Sequence, residues 1–450
     1  MTVSPQTSIL LEQACFAIQQ RDWFSLSQQF NQLSSLLPPT LTPEDWNEES
    51  ELHHFLLTAL DVLESGDFYD RWEFAKLLPL VGESVVPSLV AILQDETAEW
   101  ETRWFAARIL TNFQTPLVLE TLVQLLTQPT SEGEGDLQEI AIEALANMGE
   151  VALPALISLL PNAHFRLTIV RILAQMRCPE VVEPLLQAAH GSAPESRVLA
   201  IAALGRFHDP RVLPILQAAL QDPIASVRRE AVIALGLRGN QDTAETIVQQ
   251  LGDRLRDPDE AVGQQAALAL SRYQSQFAAT TLFQALTQPD TPVALQIEVV
   301  RALGWLNIPF ALECLYKRFT NLEGVELSTP VRREIITVLG RVNHPDLKSR
   351  AVNILLEVLR SNPRDQDRET RQIIIVGLGQ LGDPRSIEDL IALLADPDPG
   401  IQLHAIAALQ QIDALRAYQQ LETLARSKAI SDSLRQGIFK ALQEWSRASA

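Results

Sequence analysis

Three cysteines in 450 residues, at positions 15, 178 and 314, are too few and too far apart for a disulfide framework or a paired-cysteine metal site. Each lies in an apolar helical context, and reduced, buried thiols in a cytoplasmic protein are the expectation. Long hydrophobic runs are missing too. No stretch approaches the roughly 18 to 20 apolar residues that cross a bilayer. The start, Met1-Thr-Val-Ser-Pro-Gln, lacks the basic-then-apolar order of a signal peptide, so none is expected. No Gly-rich phosphate loop, nucleophile elbow or metalloprotease helix occurs, and no catalytic residue, metal or cofactor is expected. Positive charge is the last shortage. Lys and Arg number 36 against 56 Asp and Glu, a net charge of −20. The first hundred residues hold sixteen acids against Arg21, Arg71 and Lys76, so −13 sits there and −7 in the remaining 350. Such a surface repels nucleic acid and anionic lipid and favours a partner with basic patches, although acidity also serves plain solubility.

What the chain has is a repeat. In the stretch from Asp209 to Gly239, Asp209 reads as an N-cap with Pro210 at the first helical position. Leu213, Leu216 and Leu220 then share one helical face, and Asp222-Pro223 ends that helix. A second helix follows, burying Val227, Ala231, Ala234 and Leu235, with Gly236 letting the chain leave it. Neither helix can bury its stripe alone. The leucine near the end of the second helix recurs as Leu78, Leu110, Leu145, Leu173, Leu204, Leu235, Leu270, Leu303, Leu339, Leu378 and Leu409, at steps of 28 to 39 residues. A glycine follows directly at Gly205, Gly236, Gly304, Gly340 and Gly379. An arginine precedes the leucine by seven at Arg71, Arg103, Arg166, Arg197, Arg228, Arg332 and Arg371. Helix pairs at this period, with no strand signature between them, predict an all-α chain: an α-solenoid, a superhelix of stacked helix hairpins.

These residues, and the run Glu230-Ala-Val-Ile-Ala-Leu-Gly236 above all, resemble HEAT repeats of the armadillo type. They are similar in particular to the short HEAT-like class first noted in phycobilin lyases. The resemblance covers about 67 to 412, with 1–66 expected as an N-terminal helical cap and 413–450 as a C-terminal one. It implies a fold more than an activity. The repeated arginine is read as architecture, bonding to an aspartate such as Asp222 and to the free carbonyls of the adjacent turn. The di-iron HEAT enzyme deoxyhypusine hydroxylase uses His-Glu pairs, and none of the seven histidines here is followed by Glu. A HEAT-like DNA glycosylase would need a basic surface, against the charge.

Two local features stand apart from the repeat. Insertions at 129–136, 321–330 and 361–369 all fall between the helices of their pairs and would emerge on one rim. Five of seven tryptophans lie in the first 104 residues, and Arg71-Trp72-Glu-Phe-Ala-Lys76 is echoed by Arg103-Trp104-Phe-Ala-Ala-Arg108. Trp72 with Lys76, and Trp104 with Arg108, share a face offset from the packing stripe. Those tryptophans either anchor a partner or fill the inter-repeat core. By repeat alignment, Arg229, Arg301, Trp305 and Arg333 take comparable positions on second helices, which line the concave face in HEAT stacks. The expectation is a non-catalytic protein-binding scaffold, adaptor or assembly factor. The alternative is a phycobilin lyase, isomerase or pigment chaperone acting on phycobiliproteins, with Arg71/Trp72 and Arg103/Trp104 holding the bilin.

Overall fold

A computed structural model describes residues 5–36, 51–127, 135–238, 244–320, 327–361, 367–427 and 429–448. The break at 38–45, Trp46 and most of each insertion lie outside the described residues. Among those described there are twenty-five α-helices and no strand. They divide into two compact units, Met1–Asp209 and Pro210–Ala450, a different cut from the cap, array and cap of the repeat pattern.

The first unit opens with α1 (Pro5–Gln19), α2 (Trp23–Leu36), α3 (Glu51–Ser65) and α4 (Phe68–Leu77). Then come α5 (Val86–Gln94), α6 (Trp100–Leu110), α7 (Pro116–Thr127) and α8 (Gly135–Met148). It ends with α9 (Leu153–Leu159), α10 (Arg166–Gln175), α11 (Val182–Ala189) and α12 (Pro194–Leu204). From α3 onward the helices pair as hairpins, and α4, α6, α8, α10 and α12 stack successively on one another. The hairpin of α1 and α2 packs on α3 and α4, and Arg21 reaches the buried Asp70 at 2.8 Å.

The second unit repeats the plan with α13 (Val212–Ala219), α14 (Ala225–Gly236), α15 (Ala244–Arg254), α16 (Glu260–Leu270) and α17 (Gln276–Thr287). It continues through α18 (Val293–Leu306), α19 (Pro309–Phe319), α20 (Thr329–Gly340), α21 (Pro345–Ser361) and α22 (Arg368–Leu381). The last three helices are α23 (Ile387–Ala392), α24 (Pro399–Ala425) and α25 (Asp432–Ala448). Second helices α14 to α24 stack in order, first helices α15 to α21 likewise, and α24 breaks at Asp413. The fold is an all-α solenoid of helix hairpins. All eleven marker leucines are at most 1 % exposed, so the repeat period and the packing layer coincide.

Local readings need three corrections. Helix α13 starts at Val212 with Arg211 at the N-cap position and no side-chain cap, so Asp209 is not its N-cap nor Pro210 its first residue. Its buried stripe is accordingly Val212, Leu216, Ala219 and Leu220, with Leu213 half-buried. Cys178 is also half-buried, whereas Cys15 and Cys314 are buried as expected.

Of the repeated glycines only Gly205 sits at a C-cap, and it does so in right-handed geometry. Positive φ occurs at Gly82, Gly149 and Gly382, none of them in the repeated position. Gly236 and Gly340 close their helices in ordinary helical geometry, and their role is proximity. A Cβ on Gly236 would stand 2.7 Å from Ala269 Cβ, and one on Gly340 would stand 2.5 Å from Gly377 Cα in the next second helix. Backbone cannot rotate away as a side chain can.

The arginine ladder donates to carbonyls in the last turn of the first helix or in the turn that follows it. Arg71 donates to Glu64 O, Arg103 to Leu93 O, and Arg166 to Leu160 O and Pro161 O. Arg197 donates to Gly191 O and Ser192 O, and Arg228 to Asp222 O and Pro223 O. The carbonyls are those anticipated, but the carboxylate gripping Arg228 bidentately is Asp257 of the following repeat, at 2.8 and 2.6 Å. Asp222 instead accepts the Ile224 N–H. Burial opposes ionisation of Asp257, but bonds from Arg228 and the Asp259 N–H, with the charge of Arg254, outweigh it and hold its carboxyl below the ordinary range. A second set of arginines went unread in the sequence: Arg254 donates to Leu220 O and Arg318 to Leu286 O, each capping the preceding first helix.

The close approach of α20 and α22 gives a prediction. Gly340→Ala gains about 1 kcal/mol of helix propensity but overpacks against backbone at a typical cost of 1–3 kcal/mol. The expected outcome is a net loss of about 1–2 kcal/mol in urea unfolding, and a variant as stable as wild type would contradict the tight crossing.

Candidate protein-binding site

In the first unit, Trp72 sits on the middle turn of α4 and Lys76 one turn later, while α6 carries Trp104 and Arg108 at the same spacing. Because α4 and α6 stack directly, the two pairs meet. The Arg108 guanidinium carbon lies 5.1 Å from the Trp72 ring centre and 5.4 Å from that of Trp104. Lys76 Nζ lies 5.7 Å from Trp72 and 2.6 Å from Glu73. Both indoles are half-buried, and both cations are exposed. Among the described residues the Arg108 guanidinium makes neither ion pair nor hydrogen bond; its contacts are the two rings. Beside it opens a cleft of about 280 Å³ lined by Trp72, Ala75, Lys76, Pro79, Arg108, Ile109, Thr111, Asn112, Ile140 and Glu143.

Arg71 and Arg103, expected to face a partner beside their tryptophans, are buried. Arg71 is held by Glu99 at 3.0 Å and Glu101 at 3.1 Å as well as by Glu64 O, and Arg103 by Leu93 O. A residue adjacent to Trp on a helix is turned about 100° away, into the stack. Both belong to the ladder, not to the surface.

The sequence passed over Phe68, one turn before Trp72 on α4. It is 57 % exposed, stacks on Trp72 at 6.1 Å between ring centres and touches Phe105 at 5.5 Å. The adjoining Tyr69 is exposed as well. The i, i+4 spacing of Phe68 and Trp72 was the available signal.

In the second unit, Arg301 and Trp305 on α18 share a cleft of about 680 Å³ with Glu298, Glu334, Thr337, Arg341 and Asn343. Trp305 is 56 % exposed. Arg301 is tied at 2.7 Å to Glu298 and 2.8 Å to Glu334, and the bond it donates to Glu334 above all raises its pKa. Arg333 spends its charge on Asp367 and Glu369 at the start of α22, and Arg229 lies 3.7 Å from Glu230. These three arginines are therefore not brought together. Arg341, absent from the sequence reading, is exposed and makes no ion pair among the described residues.

Among the described residues no three His, Cys, Asp or Glu side chains group as metal ligands, and no single helix is long and apolar enough to cross a membrane.

A family model described as HEAT repeats matches residues 182–254 and 352–443. Those two segments carry HEAT repeats. No curated protein matches it. Among solved structures, Kap121p bound to RanGTP aligns at 14 % identity with a TM-score of 0.56, over 91 % of this chain and 49 % of that one. A mutant of Kap121p aligns at 12 % identity and 0.48, over 98 % and 53 %. An engineered protein aligns at 20 % identity and 0.34, over 80 % and 98 %. The chain spans about half the length of Kap121p, and at such identity the likeness is one of fold. Within each unit, one cleft lies along the stacked second helices.

Arg333 fixes a pH expectation through Asp367, the N-cap of α22. Burial raises the Asp367 carboxyl, but the Thr370 N–H and hydroxyl and the Arg333 guanidinium overcome it and bring its pKa from 3.8 down to about 2. A depressed carboxyl favours the folded state when ionised. Its contribution is complete above about pH 4 and is lost as pH falls through about 2. Titration of the Asp367 side-chain carbon by NMR should show a midpoint near 2, and a midpoint near the ordinary value would remove the cap from this account.

Proposed function

We propose that this chain is a non-catalytic protein-binding scaffold, an adaptor or assembly factor, that docks a partner on its row of second helices. The observation that carries the reading is Arg108: an exposed cation resting on two half-buried indoles, without a counterion among the described residues, beside a cleft. Aromatic and arginine side chains of this kind are the groups that concentrate binding energy at protein interfaces. Phe68, Tyr69, Trp72, Lys76, Trp104 and Arg108 form the first docking surface in this reading, and Arg301, Trp305 and Arg341 a second. Kap121p, which shares the fold, is bound to RanGTP, and this supports a protein as the ligand class. We further read 1–66 and 413–450 as caps on the array at 67–412, and the chain as cytoplasmic.

A phycobilin-lyase-like activity is the second reading. What favours it is the pairing of cations with indoles, which suits a ligand with an apolar face and two propionates. With Arg71 and Arg103 buried, Lys76 and Arg108 would have to serve. Coexpression with a bilin and an apo-phycobiliprotein distinguishes it: a covalent adduct that requires this chain would put it first.

Trp72→Ala with Trp104→Ala tests the scaffold. Proteins captured by the wild-type chain should be lost by the double variant, at about 2 kcal/mol or more of binding energy, with helicity retained. A core tryptophan would instead cost about 3–5 kcal/mol of stability. A double variant that unfolds early, or one that keeps every captured protein, would return these residues to the architecture.

A further inference from the structure

Each compact unit contains a cleft lined by a tryptophan of one second helix and by an uncommitted arginine on or just past the next, and in the first unit the two are in contact. In the first unit these are Trp72 on α4 and Arg108 on α6; in the second, Trp305 on α18 and Arg341, just past α20. Both pairs are 36 residues apart in the chain. The other cations of the clefts are spent, Lys76 on Glu73 and Arg301 on Glu298 and Glu334. Arg108 and Arg341 keep their donors free among the described residues.

We propose, resting on the scaffold reading, that these clefts take a single carboxylate side chain of a partner segment flanked by an aromatic residue. The carboxylate sits on the arginine and the aromatic ring against the tryptophan. Guanidinium and carboxylate match as a two-pronged, charge-assisted pair, and in the first cleft the indoles hold the Arg108 guanidinium before the partner arrives. This runs opposite to the expectation from net charge, that the partner should be basic. The long-range charge of −20 is screened beyond about 8–10 Å, while a contact at 4 Å is worth several times more than in bulk water. The local arginine decides. The clefts also limit the ligand to one acid, because Glu143 lines the first, and Glu298 and Glu334 line the second.

The test uses the full chain and three capped pentapeptides, Gly-Phe-X-Phe-Gly with X as Glu, Gln or Lys, followed by the indole N–H resonances in NMR. The Glu peptide should shift Trp72, Trp104 and Trp305 and bind at least tenfold more tightly than the Gln peptide, about 1.4 kcal/mol. R108Q should bring the Glu peptide down to the Gln level at Trp72 and Trp104 while leaving Trp305 unaffected, and R341Q should do the reverse. Arg108 and Arg341 are exposed, so neither change removes core packing. Equal binding of Glu and Gln peptides, or tighter binding of the Lys peptide, overturns the proposal. So does R108Q without effect. The scaffold reading would survive any of these results if captured proteins are still lost from the Trp72→Ala, Trp104→Ala variant.

Discussion

The stack depends on a guanidinium placed where a helix ends. A first helix finishes with carbonyls that lack partners, and its C-terminus carries a partial negative charge. An arginine in the first turn of the second helix reaches the end of the first helix or the turn just beyond it, at Arg71, Arg103, Arg166, Arg197 and Arg228. Its planar fork leaves donors over, and these reach the next repeat: Arg228 holds Asp257, Arg71 holds Glu99 and Glu101, and Arg371 holds Asp396. One side chain thus closes a hairpin and fixes its neighbour. Lysine, a point charge with no fork, could not do both.

That use of arginine explains which part of the candidate site was legible. Spacing on a helix reveals which residues share a face, so Trp72 with Lys76 and Trp104 with Arg108 were readable, as was the layer of marker leucines. Spacing does not reveal how far the neighbouring helix covers that face. Arg71 and Arg103 adjoin the tryptophans in sequence, yet they turn inward to the carbonyls, and only the stacked second helices bring Trp72 and Arg108 together. Phe68 was missed because it precedes the motif by a turn, and Arg341 because it lies beyond the last marker leucine of its pair.

The glycines show the same limit from another side. Placed after a helix-ending leucine, Gly236 and Gly340 look like C-cap residues, and a single hairpin offers no reason to think otherwise. The reason lies one repeat away, at Ala269 and Gly377, where two second helices approach too closely for a Cβ. The small residue is required by stacking, not by the turn.

In a chain with 36 basic residues against 56 acidic ones, any arginine without a carboxylate partner is informative. Ladder arginines are held in place, since releasing one leaves carbonyls of the helix end or the following turn without that donor, at a cost of about 1–3 kcal/mol where they are buried. Arg301 and Arg333 are likewise absorbed by acids of the next second helix. Arg108 is different, because its contacts are aromatic rings, which orient a guanidinium without neutralising it. An indole therefore does here what a carboxylate does elsewhere in the stack: it holds the cation in place. It also leaves the charge available to whatever binds.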